Sequence, residues 1–224
     1  MQRMNGILQP PVWRAVFSSA ILPHMLTTLK TSLLLAGLFF PFFSFVQDAD
    51  TSNIAPHYTA DGQMQLPADY RQWVYLSTGF DMSYAPGMQM GHHMFDSVFV
   101  NPEAYKAFTE TGTWPDKTVM VLEVRAAKDK GSINQKGNYQ GELMGREVHV
   151  KDKSRFRGQG GWAFFGFDED KPAKMTPTTA SCYSCHQEHG AVDTTFVQFY
   201  PTLLPIATAK GTLSSGYQKE TAQK

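Results

Sequence analysis

Apolar and polar positions alternate in short bursts along this chain, and from about residue 50 onward the pattern predicts mostly strands. Residues 72–79 alternate loosely, and 97–100 form a short run of strand formers. Asn101, Pro102 and Glu103 then spell a helix start: a cap residue, a first-turn proline and an early acid. Ala104, Tyr105, Ala107 and Phe108 supply the apolar stripe of that helix, and Gly112 closes it. Residues 118–125 read as the clearest strand, with Val119, Val121, Glu123 and Arg125 on one face and Met120, Leu122 and Val124 on the other. Residues 147–151 alternate as well, Val148 and Val150 pointing inward, and 161–167 are aromatic enough for a buried strand. The stretch 128–145 is rich in Lys, Asn, Gln and Gly and reads as a long hairpin connection or loop. Residues 192–200 predict a second helix ended by Pro201, and the polar residues beyond about 209 read as a frayed tail. There is no internal repeat. The fold class is α+β, mainly strands with a few short helices.

The first 49 residues have a different character. Lys30 precedes an apolar run over 33–46, after which the chain turns polar at 47–50. Such a run suits the core of an export signal and is short for a membrane span. Met25 would serve as a start that leaves a compact, charged-then-apolar leader. No A-x-A cleavage site follows, so an uncleaved anchor is the alternative to a removed signal. The chain thus divides into a leader over 1–49, one domain over 50–208 and a polar tail over 209–224.

Composition narrows the function. The 20 basic and 20 acidic residues cancel, so no basic field points to nucleic acid. Hydrophobic residues make up 42% of the chain, enough for a sizeable core. The chain has only two cysteines, and both fall in Cys182-Tyr183-Ser184-Cys185-His186. C-x-x-C-H is the pattern that attaches a c-type haem: two thiols form thioethers to the porphyrin and the adjoining imidazole ligates iron. Two other readings compete. A redox dithiol prefers a cytosolic chain with a βαβ pattern nearby. A zinc site drawn from Cys182, Cys185, His186 and His189 fits the usual zinc spacing badly. Covalent haem is the preferred reading, with no thiol left over for a disulfide.

The motif lies late in the chain, and no methionine follows it. His189, three positions past His186, shares its helical face and cannot reach across the haem. The far side of the haem must therefore be built from the chain before residue 182, or stay open. Met82, Met88, Met90, His92, His93 and Met94 form one dense run of candidate iron ligands. The alternative is an aromatic wall of Phe95, Phe99, Trp114, Trp162, Phe164 and Phe165 over five-coordinate iron.

The order and spacing of several segments resemble the cytochrome P-460 family, which includes the cytochromes c′-beta. They are Tyr70-Arg71-Gln72-Trp73, the run from Val98 to Tyr105, and Thr111-Gly112-Thr113-Trp114-Pro115-Asp116-Lys117-Thr118-Val119. Val150-Lys151-Asp152, Gly161-Trp162-Ala163-Phe164, the haem motif, Asp193-Thr194-Thr195-Phe196 and Phe199-Tyr200-Pro201 complete the set. The resemblance implies a mainly antiparallel β fold wrapped around one covalent haem c, often as a homodimer, with His186 as the proximal ligand. Members that oxidise hydroxylamine carry a lysine cross-linked to the porphyrin, in the strand after the T-G-x-W-P-D segment. Leu122 occupies that place here and has no nucleophilic nitrogen. Those enzymes also use an acidic residue beside the haem, for which Glu147 is the candidate, since Glu123 lies on the other face.

Cys182 and Cys185 are thus expected to tether the haem, His186 to ligate its iron, and Leu122 and Phe165 to lie against it. Arg125 or Arg146 would meet a propionate. The leading functional expectation is a periplasmic monohaem protein that binds or processes nitric oxide or a related small nitrogen species at an open iron. Its other partners would be a redox protein and a second copy of the chain. One alternative is a six-coordinate electron-transfer cytochrome. Another is an enzyme, a haem oxidoreductase of hydroxylamine-oxidising or peroxidase-like type.

Overall fold

Five strands follow one another across an antiparallel meander in the order β1-β2-β3-β4-β5. They are β1 (Val74–Phe80), β2 (Met94–Val100), β3 (Val119–Lys128), β4 (Tyr139–Lys151) and β5 (Trp162–Phe167). Among the described residues four short α-helices complete the α+β fold: α1 (Pro102–Thr111), α2 (Ser181–His189), α3 (Leu204–Lys210) and α4 (Ser215–Ala222). This computed structural model describes residues 55–84 and 91–223. The leader expected over 1–49, together with Met88 and Met90, lies outside the described residues. Among the described residues no helix is long and apolar enough to cross a membrane.

Both faces of the sheet are covered. Val119, Val121, Val148, Val150 and Phe165 pack on one face with Met64, Tyr70, Trp73 and Phe156. Val100, Met120 and Trp162 pack on the other with Ala104 and Phe108 of α1, Trp114, and Leu203 and Ala207 near α3. Each such side chain, fully buried, contributes about 1.5–3 kcal/mol if it is a large aliphatic or aromatic group. The alternation read for β3 holds in register: Val98 pairs with Leu122 and Leu122 with Glu147, while Val100 pairs with Met120 and Met120 with His149.

Helix α1 begins and ends where the sequence places it. Asn101 precedes it, but its side chain does not cap the helix. Its Oδ1 instead accepts from the Val119 backbone N–H at 2.8 Å, tying the helix start to β3. Gly112 ends it in the left-handed conformation (φ +74°), and a Cβ there would lie 2.7 Å from Cβ of Lys210.

Three expectations change. The long hairpin connection expected over 128–145 is present but shorter, spanning 129–138, since β4 starts at Tyr139 and pairs it with Lys128. Most side chains over 139–144 are exposed, so that end of the ribbon needs no apolar face and shows no alternation. Residues 192–200 form no helix. Val192 bridges to Thr195 through two left-handed residues, and only a 3-10 turn, Val197–Phe199, follows. The tail placed at 209–224 is not frayed: Gly211 ends α3 and the Ser214 hydroxyl caps α4, accepting from Tyr217 N–H at 3.1 Å.

Candidate functional site

Helix α2 carries the motif, and its geometry explains the spacing. Cys182, Cys185 and His186 stand at positions i, i+3 and i+4, so their side chains share one face. None of the nine residues of α2 is buried, because that face borders a cavity of about 510 Å³ rather than packed protein. A cavity of this size is in the range of cofactor pockets. Tyr183 fastens the helix to the sheet, accepting from Phe164 N–H at 3.3 Å and donating to the Thr176 carbonyl at 3.1 Å.

The floor is one face of the sheet. It consists of Ser77 and Gly79 from β1, Asp96 and Val98 from β2, Met120, Leu122 and Val124 from β3, Glu147 and His149 from β4, and Phe164 from β5. Met82 and Tyr84 stand at one side, and Thr195, Phe196, Phe199 and Tyr200 follow α2 around the rim. A Cβ at Gly79 would strike the Met82 sulfur, so the glycine lets Met82 fold back over the strand.

His186 Nδ1 donates to the backbone carbonyl of Thr194 at 2.8 Å, which leaves Nε2 as the ring nitrogen with a free lone pair. The ring lies against Phe196 (4.2 Å between centroids), Phe164 (4.7 Å) and His149 (4.9 Å). Burial lowers its pKa, so the neutral, metal-binding form is favoured, although the Thr194 contact opposes the shift. Cys182 and Cys185 are free thiols, both raised by burial. Two free thiols and one tautomer-fixed imidazole on a single helix face, opening on a cofactor-sized cavity, fit a haem tethered at Cys182 and Cys185 and ligated by His186.

His189 does not join them; it turns to Glu220 at 3.3 Å. Among the described residues no three His, Cys, Asp or Glu side chains converge as a bare metal ion would require.

Several expected neighbours of the haem lie elsewhere. Phe165 faces away from the cavity: it pairs with Val148 in the opposite core, because successive strand residues point to opposite faces. Of the expected aromatic wall only Phe164 lines the cavity; Phe99 packs on Tyr70 and Tyr75, and Trp114 on Phe108. Arg125 and Arg146 also face away, Arg125 paired with Glu123 and Arg146 with Asp170. Of the described residues in the Met/His run, Met82 reaches the cavity, while His93 is exposed and pairs with Asp81.

Other residues in the cavity were not anticipated from the sequence. His149 stacks between Phe164 (4.0 Å) and Trp162 (4.3 Å), and its buried Nε2 has no hydrogen-bond partner among the described residues. Burial, then the neighbouring His186, holds its pKa well below the usual value, so the ring is neutral. Asp96 sits on the same floor as Glu147. Burial raises the pKa of both carboxyls, with Asp96 adding to the shift at Glu147 and Asp81 to that at Asp96. Glu147, the candidate acid beside the haem, thus does line the cavity, whereas the only signal for His149 was its alternation with Val148 and Val150, which also describes a solvent-facing strand edge.

The fold, this cavity, its two thiols and its oriented imidazole fit a haem-binding protein. The model of the family described as cytochrome P460 matches residues 67–197, more than half of the 224-residue chain, and the chain belongs to that family. No curated protein matches it. Membership makes it a haem protein acting on nitrogen species such as hydroxylamine.

Proposed function

We propose that this is an exported monohaem protein whose single haem c is tethered by Cys182 and Cys185 and held by His186, and which takes up nitric oxide or a related neutral nitrogen species. The observation that carries the reading is the one cavity that gathers both thiols, the oriented His186 ring and a floor of Val98, Leu122 and Val124. Bound there, haem would supply an iron able to take small nitrogen ligands. The chain's own residues do the rest. His186 is held in the metal-binding tautomer by Thr194. Leu122, beside Val98 and Glu147, presents hydrocarbon where the family's cross-linking lysine would stand. The hydrocarbon of Val98, Leu122 and Val124, flanked by the carboxyls of Asp96 and Glu147, disfavours anions, which would lose their hydration without compensation. The apolar run at 33–46 supports export.

A second reading is favoured by Glu147. Its carboxyl opens onto the cavity one strand from Leu122, and burial, then Asp96, raises its pKa, which favours a carboxyl that can hold a proton. Glu147 would then accept protons released as hydroxylamine is oxidised, without a cross-link.

The test is the absorption spectrum of the holoprotein from a c-type maturation system, ferric and reduced. The expected result is a high-spin spectrum that shifts on adding nitric oxide, without the red-shifted Soret band of the cross-linked enzymes. Sharp low-spin α and β bands unmoved by nitric oxide would overturn the open site and point to Met82 as a sixth ligand. Hydroxylamine turnover abolished by Glu147→Gln would establish the second reading.

A further inference from the structure

Behind the Thr194 carbonyl stands a buried ion pair. Lys151, the last residue of β4, is 5% exposed. Its ammonium reaches the Asp193 carboxylate, donates to the Trp114 carbonyl at 2.7 Å and lies 5.5 Å from the centre of the Trp162 ring. A lysine drawn this far out of water persists only when it is well partnered. Its carboxylate partner here is the residue immediately before the carbonyl that orients His186.

That short segment is strained. Asp193 and Thr194 both adopt left-handed backbone conformations, with φ of +54° and +64°. Residues with a Cβ rarely do so singly, and two in succession need surroundings that leave them no alternative. Three contacts provide them. Thr195 folds back on Val192, its N–H donating to the Val192 carbonyl at 2.9 Å. Trp114 Nε1 donates to the Thr195 hydroxyl at 2.8 Å. Lys151 supplies the charge, gripping Asp193 from beneath the sheet end. Gly190 allows the close approach that results, since a Cβ there would lie 2.6 Å from the His186 carbonyl oxygen and 2.8 Å from the Thr194 carbonyl carbon.

We propose that Lys151 is a positioning residue: through Asp193 it holds the Thr194 carbonyl on His186 Nδ1 and thereby sets the strength of the iron–histidine bond and the reduction potential of the bound haem. A carbonyl that accepts from Nδ1–H makes the imidazole a stronger donor to iron, which favours the ferric state and lowers the potential. The inference rests on His186 ligating the iron, as proposed above.

The experiment compares holoprotein with its Asp193→Asn and Lys151→Gln variants by resonance Raman of the ferrous state and by redox titration. Both substitutions are expected to lower the iron–histidine stretching frequency and raise the midpoint potential. The double variant should go no further than the stronger single one, because the two residues act as one unit. If Lys151→Gln does not accumulate, Asp193→Asn carries the test alone, since that carboxylate is partly accessible to solvent. Variants with the parent's frequency and potential but a lower melting temperature would overturn the proposal and leave an ordinary structural ion pair. A parent protein with no iron–histidine band would overturn the assignment of His186, and this inference with it.

Discussion

At the scale of single residues, the chemistry that was legible is the chemistry tied to local spacing. Cys182, Cys185 and His186 need only one turn of helix to come together, so five letters of sequence suffice to place them. His149 and Glu147 owe their positions to a sheet register more than thirty residues upstream of the motif; only the family resemblance singled out Glu147, and nothing local distinguishes His149 from a surface residue. The misplacement of Phe165 has the same origin: in Phe164-Phe165 the composition is identical, and only the register decides which ring reaches the cavity. Glu147 also makes a pH dependence predictable. Burial raises its pKa in the folded chain above the unfolded value, so folding favours the protonated acid. That contribution is present below the unfolded value of about 4.3 and is lost as pH rises through the folded value. Glu147→Gln should therefore match the parent's melting temperature near pH ~4 and exceed it at neutral pH, as a thermal-melting series across pH would record.

At the scale of elements, capping chemistry was the most reliable guide. Asn101, Pro102 and Gly112 bound α1 to the residue, although Asn101 earns its place by bonding to β3 rather than by capping. The same signals were present farther along, in Pro205, Gly211 and Ser214, and they mark α3 and α4 in a stretch whose polar composition reads as a tail. Over 192–200 the apolar pattern suits a helix, but Thr195 and Trp114 hold the chain in a tight turn, so a tertiary contact overrides the pattern. Gly112 joins two elements, and Gly112→Ala should cost about 2 kcal/mol or more. It would place a side chain in the left-handed region and drive its Cβ into Lys210 of α3. Chemical denaturation should show that loss as a lower midpoint with an unchanged slope.

At the scale of the molecule, two core clusters lie on opposite faces of the sheet, and the cavity opens beside one of them. Neither cluster includes Cys182, Cys185 or His186, so the sheet has its own core independent of the cofactor. The double variant Cys182→Ala/Cys185→Ala should accordingly keep the strand signature in circular dichroism while melting well below the holoprotein. Each kcal/mol lost corresponds to roughly 2–4 °C for a domain of this size. Loss of the strand signature instead would show that the haem, not the two clusters, organises the sheet.

The meander has a consequence in time as well as in space. Every strand pairs with its neighbour in sequence, and β5 ends at Phe167, before Cys182. A chain that emerges N-terminus first can therefore close its whole sheet while the two thiols are still on the way. If the proposed haem is attached at these thiols, attachment would be a late step, performed against a sheet already shaped to take the cofactor.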